Sequence, residues 1–392
     1  MKTLLLVYLI FTGLTLCCLS NGQAVTPQEQ DGKYYFQVAT VYFEVDPSFG
    51  ARISSFKIGD EDMLQGNTGA GDYLWGSTLW QSPQSEWNWP PSVELDQDPY
   101  TGGIVNNQIV LRSSVDETYS HLVFKKVFSA DLSDISITIV YTMINEGSTA
   151  HSFSAWEVAR VPSGGISFFP MGEGDVTGAF AGQTELINGV VWYEQDDSDP
   201  SGQKFMCDGA EGWSAHVNEN AILFLKKFDD ASATSNAPGE KEIELYYSGP
   251  SNYIELENQS AYANIEVGDS VSWTMKWYLR NLPSSIEAQT GNTDLVNYVR
   301  SIVNNQPPDA IDKIEPSIIT LYPNPACEYV FVKNLPSENA NLTISDVCGK
   351  VLYKTKIKND AQVPLTGLKS GVYFYEIVGS TVRESGKLLI RK

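Results

Sequence analysis

Hydrophobic positions recur every second residue through most of the chain. Ile135, Ile137, Ile139, Tyr141 and Met143 alternate with Ser136, Thr138, Val140 and Thr142, the period of a strand with one buried face. Glu242 to Tyr247, Tyr253 to Glu257 and Val271 to Leu279 repeat it, and Tyr34 to Val45 is aromatic and β-branched. Gly, Asn, Asp and Ser turns separate these runs, and a 3.6-residue period is scarcely seen. The pattern predicts an all-β fold. Residues 25–283 are too many for a seven-strand sandwich of about 100 residues, so a large two-sheet sandwich is expected. The pattern breaks at residues 284–315, read as a linker with room for a short helix over Asp294 to Val303. Short strands resume over 316–392 as a second, smaller β-sandwich.

Before residue 25 the pattern differs again. Met1-Lys2, an apolar run from Leu4 to Leu19 and the small, polar Ser20 to Ala24 predict a secretory signal over residues 1–24. A lipid anchor on Cys17 or Cys18 is disfavoured, because Leu16 and Cys17 stand where a small residue is wanted. No later stretch approaches the ~20 apolar residues of a membrane span.

Charge narrows the partners. Of 392 residues, 26 are Lys or Arg and 48 Asp or Glu, a net charge of −22. Nucleic acid and anionic membrane surfaces both require a basic footprint and are excluded on this balance. Residues 315–392 carry ten basic and seven acidic residues, so the acidity belongs to the large unit. Cys207, Cys327 and Cys348 lie beyond the signal with no Cys-x-x-Cys, and His121, His151 and His216 are scattered, so no zinc site is expected. The acidic runs Glu94 to Asp98 and Glu194 to Gly202 offer calcium some oxygens, but match no EF-hand loop and read as solvated turns. No cofactor is expected.

The end of the chain carries four motifs in order: Leu321-Tyr322-Pro323-Asn324-Pro325, Asp346-Val347-Cys348-Gly349-Lys350-Val351, Leu368 to Tyr375, and Gly386 to Lys392. Residues 316–392 thereby resemble the type A C-terminal sorting domain of the type IX secretion system of Bacteroidetes. The resemblance implies Sec export, passage across the outer membrane by the type IX secretion machinery, and a secreted or cell-surface location. Should Glu328–Val332 pair with Asn341–Asp346 as a hairpin, Cys327 and Cys348 come near enough for a disulfide; in different sheets they do not.

Phe49 to Phe56, with Gly50, Arg52 and Ile53, Tyr141 to Gly147, and Leu256-Glu257-Asn258-Gln259 with Glu266 to Ser270 and Trp273 to Leu279 span the large unit. On these segments it is similar to the galactose-mutarotase-like supersandwich. The resemblance implies a glycan or monosaccharide ligand, with Glu257 as the base that takes the anomeric hydroxyl proton. It also expects a histidine acid after the central strand. His151 falls several residues early, and Trp156 or Glu157 stands nearer that place. Strict mutarotation is therefore in doubt.

Two further features bear on a site. Tyr253, Glu255 and Glu257 share one face of a strand, a binding floor or a set of solvated charges. Trp75, Trp80, Trp87 and Trp89 crowd a stretch without period, read as a loop, where indoles either stack on sugar C–H faces or plug a sheet end. Arg52 and Glu86 are candidates to fix hydroxyls beside Trp80, Trp89 and Trp156. The leading expectation is a secreted carbohydrate-binding or carbohydrate-active protein. Two alternatives stand beside it: an epimerase or polysaccharide lyase with Glu257 as base and His151, Glu157 or a tyrosine as acid, and a non-catalytic surface structural protein.

Overall fold

The computed structural model describes residues 23–69, 73–250, 252–304, 320–333, 335, 340–346, 350–379 and 383–392. Residues 1–22 of the segment expected to be a secretory signal, with Cys17 and Cys18, and Cys348 lie outside them. The chain divides into two units, one ending at Gln306 and the other beginning at Pro307. Among the described residues no helix is long and apolar enough to cross a membrane.

The large unit is built from an 11-stranded and a 10-stranded antiparallel sheet. Their facing sides interdigitate as alternation requires. Phe43 and Phe56 of the first sheet meet Trp277 of the second, with ring centroids 6.2 and 5.6 Å apart. Ile137, Ile139, Tyr141 and Met143 are all buried there. One half of the first sheet runs out to its edge through five strands in the order Ser77–Ser82, His151–Pro162, Tyr253–Gln259, Ile243–Tyr247 and Gln203–Cys207. Apart from the consecutive pair Ile243–Tyr247 and Tyr253–Gln259, they are distant in sequence and adjacent in space.

Ser77–Ser82 corrects the sequence reading of Trp75 to Pro91 as one loop. The strand is buried throughout, and burial on both faces erases the polar alternation that marks a strand. Loop begins only after it, with a short 3₁₀ turn at Gln84–Glu86.

The helix Thr293–Val303 starts at Asn292, whose side chain accepts from the amides of Asp294 and Leu295. Leu295, Val296, Val299 and Val303 pack on Phe168, Trp192 and Trp213 of the second sheet. These contacts make the helix part of the large unit.

The small unit has a three-stranded sheet (Thr320–Tyr322, Tyr329–Lys333, Gln362–Pro364) and a four-stranded one (Val351–Ile357, Ala340–Ser345, Gly371–Gly379, Arg383–Ile390). Tyr329–Lys333 and Ala340–Ser345 thus enter different sheets, and the hairpin that would have joined Cys327 to Cys348 does not form. The Cys327 thiol instead donates to the Arg391 carbonyl at 2.8 Å.

Candidate functional site

Alternation sorts the central strands into two faces. Phe153, Ala155, Ala159 and Val161 point between the sheets, which turns Trp156, Val158 and Arg160 to the other side. Ile254 and Leu256 likewise face the core, leaving Tyr253, Glu255 and Glu257 outward. On this outer face the pairing brings Trp156 opposite Trp80, Arg160 opposite Glu255, Glu255 opposite Tyr246, and Tyr246 opposite Lys204. Side chains from five strands therefore converge.

They line an open cleft of about 520 Å³, the solvent at its mouth included. Its aromatic part is Trp80, Trp89, Trp156, Tyr246 and Tyr253; its charged part is Lys204, Glu255 and Glu257, with Leu74 and Gln84 beside them. Trp80 packs edge-on to Trp156 and Trp89, at 5.3 and 5.5 Å between centroids. Trp87, buried behind, donates its indole N–H to the Gln81 carbonyl. Trp89 is 48% exposed and Trp80 only 4%.

The floor is an ordered charge array. Trp156 Nε1 donates to Glu257 Oε2 at 2.8 Å, and Lys204 Nζ donates to the same oxygen at 2.9 Å. Lys204 also donates to Glu244, and its ammonium lies 4.8 Å from the Trp156 ring centroid. Arg160 pairs with Glu255 at 2.7 Å and stacks over Trp80. Burial works against the Lys204 charge, but Glu257 and Glu244 more than offset it and hold the ammonium protonated above the ordinary lysine range. One ammonium cannot neutralise two buried carboxylates. Burial pushes Glu257 up to about 8, with Glu244 and Glu255 adding to the rise against Lys204. Burial likewise pushes Glu244 up to about 7, against the pull of Lys204.

Five of the sequence candidates meet in this cleft: Trp80, Trp89, Trp156, Glu255 and Glu257. Four do not line it. Arg52 is fully buried, pairs with Asp96 at 2.9 Å and donates to the carbonyls of Tyr73 and Trp75; a guanidinium so engaged has no donor for a sugar. Asp96 also takes the N–H of Trp80 and the hydroxyl of Thr78, so the run Glu94 to Asp98 is not the solvated turn expected. Glu157 points between the sheets and pairs with Lys226, because it is one residue out of phase with Trp156. His151 is half-buried where its strand pairs with Ala263–Ile265, 5.8 Å from the Phe153 ring. Glu86 is exposed on the 3₁₀ turn. Lys204 and Tyr246 were missed. Alternation with the buried Phe205 and Cys207 puts Lys204 on the outer face, but only the long-range pairing places that face beside Glu257.

Residues 320–391 match the family described as the secretion system C-terminal sorting domain. The small unit is thus a type IX sorting domain, which directs the chain to the cell surface or beyond. No curated protein matches the chain. Among solved structures it is similar to a putative aldose 1-epimerase from Escherichia coli K12, at 12% identity over 64% of this chain and 99% of that one, with a TM-score of 0.45. It is also similar to galactose mutarotase-like proteins from Clostridium acetobutylicum (9% identity, 67% of this chain, 99% of that chain, TM-score 0.45) and Lactobacillus casei (10%, 64%, 100%, 0.44). What the large unit binds has to be argued from its own side chains.

Proposed function

We propose that the protein is an exported saccharide-binding protein whose ligand lies in the cleft on the outer face of the large sheet. The observation that carries this is the convergence of Trp80, Trp89 and Trp156 with Lys204, Glu255 and Glu257 around one open cavity. Indole faces match the C–H faces of a pyranose, and a few charged acceptors and donors beside them fix hydroxyls. The test is a glycan-array screen of the full chain, followed by calorimetry of each hit with the wild type and Trp89→Ala. Specific binding weakened in the variant supports the proposal. An array without hits, or hits indifferent to Trp89, would favour a structural surface protein.

A second reading, turnover of the bound sugar by epimerisation or lyase chemistry, is favoured by Glu257 lining the cleft with a carboxyl that burial pushes up to about 8, since a general base works best with a pKa near the operating pH. His151 and Glu157 lie outside the cleft, so an acid partner would be Tyr246 or Tyr253. Glu257→Gln keeps the shape and removes the base. A catalyst should lose about 10²–10⁴-fold in rate with affinity nearly unchanged, whereas a binder should show an affinity change and no wild-type turnover.

A further inference from the structure

The charges around the cleft do not balance. Glu255, Glu257 and, just behind, Glu244 face Lys204 and Arg160, and both cations are already paired with these same carboxylates. Three carboxylates against two cations leave one negative charge in excess. Glu240 adds to it at the rim, where it accepts from the Gln84 amide. The excess is accompanied by an unused acceptor. Glu257 Oε1 has no hydrogen-bond partner among the described residues, although Glu257 is only 1% exposed, and a buried acceptor left unpaired is costly. The aromatic walls point the same way. Lys204 lies over Trp156 and Arg160 over Trp80, whereas Trp89, the most exposed indole of the cleft, has no cation over it among the described residues.

We propose, resting on the saccharide reading above, that the ligand of this cleft carries one ammonium group: a hexosamine unit with a free amine, its nitrogen directed at Glu255 and Glu257 and its ring against Trp89. An ammonium brings three donors and one positive charge, which matches both the idle acceptor and the missing cation. A ring hydroxyl brings one donor and no charge. A uronate, sulfate or phosphate would meet Glu255 and Glu257, while Lys204 is shared by Glu244 and Glu257. Arg160, although its nitrogens complete no hydrogen bond among the described residues, is fully buried against Glu255 and Trp80 and does not line the cleft. Burial and mutual repulsion raise the pKa values of Glu257 and Glu244, and a cation seated beside them relieves that repulsion.

The experiment is calorimetric titration of the full chain, below the pKa of the ligand amine, with five probes: a chitosan oligosaccharide, its N-acetylated counterpart, a neutral gluco-oligosaccharide, an oligouronate, and tetramethylammonium as a cation without sugar. Titrations in low and high salt separate a seated ammonium from diffuse attraction to an acidic protein. The expected result is binding of the free amine about tenfold or more tighter than of the N-acetylated and neutral sugars, since hydrogen bonds to charged groups are the stronger ones. That preference should persist in high salt and disappear in Glu255→Gln. If that variant has lost its cooperative melting transition, Trp89→Ala replaces it and should weaken the amine ligand more than the N-acetylated one. Equal or tighter binding of a neutral or anionic sugar overturns the ammonium proposal and leaves the saccharide reading standing. Binding of tetramethylammonium alone, or of no probe, overturns both.

Discussion

Trp89 and Trp80 sit 5.5 Å apart and belong to different kinds of residue. Trp89 is half-exposed at the cleft mouth, so Trp89→Ala should weaken ligand binding by about 1–3 kcal/mol, the worth of an aromatic anchor, and leave the melting temperature almost unchanged. Trp80 is buried among Trp87 and Trp156 with its N–H on Asp96, so Trp80→Ala should cost about 3–5 kcal/mol of stability in urea denaturation. The sequence treats the two alike, because one crowded stretch holds both and nothing in it says that the first stands on a strand. Arg52 misleads for a related reason: a guanidinium suits a sugar hydroxyl as well as a buried carboxylate, and only the fold shows Asp96 beside it. His216 is also decided by the fold. Burial lowers its pKa from the ordinary 6.5 to about 4, while the unfolded chain takes up the proton below about 6.5. Stability from this residue is therefore complete above that pH and is lost as pH falls toward about 4. Between about pH 7 and pH 5 the loss should be about 2 kcal/mol. Paired urea titrations should show this component in the wild type and not in His216→Gln; equal pH dependence in both would refute it.

At the scale of the element, alternation carries the fold and its phase carries the site. Ile137 to Met143 and Tyr253 to Glu257 are legible because one face of each strand is apolar. Ser77–Ser82 is not, because both its faces are covered. Glu157 shows how much one step in phase matters: Trp156 looks into the cleft, and its neighbour looks between the sheets. There Lys226 of the Ile222–Phe228 strand donates to it and to the Leu256 carbonyl at 2.7 Å, and Ser77 adds a third contact. Burial raises the pKa of Glu157 and lowers that of Lys226, each opposed by the partner's charge. The pair therefore joins the two sheets, and each member is costly without the other. Lys226→Met should destabilise by about 3–5 kcal/mol by leaving a carboxylate buried and alone, whereas Lys226→Met with Glu157→Leu should recover most of that loss. Chemical denaturation of the two variants distinguishes this from a simple volume effect, which the double change would not relieve. No pattern along the sequence pairs position 157 with 226, and none brings Lys204 to Glu257; both depend on which strands become neighbours.

At the scale of the whole molecule, the two units carry opposite charge and separate tasks. The acidic large unit holds the cleft, and the basic sorting domain matches a family model over residues 320–391. Where the chain is cut decides what such a separation would show. The helix Thr293–Val303 covers Trp192 and Trp213 with Leu295 and Val299, all of them fully or almost fully buried. Burying each such aliphatic side chain is worth about 1.5–3 kcal/mol. A chain ending at Gln306 keeps that helix, so it should melt cooperatively, bind ligand like the full chain, and yet remain in the periplasm of the exporting cell. A chain ending at Pro283 loses the helix and exposes the apolar layer beneath it, so it should be strongly destabilised and fail for a reason unrelated to its address. Cell fractionation and thermal melts of both truncations separate sorting from folding. Unchanged surface or medium levels of the chain ending at Gln306 would show that residues 307–392 are not the address. Accumulation of that folded chain behind the outer membrane would show that they are, and that the large unit needs nothing from them to fold.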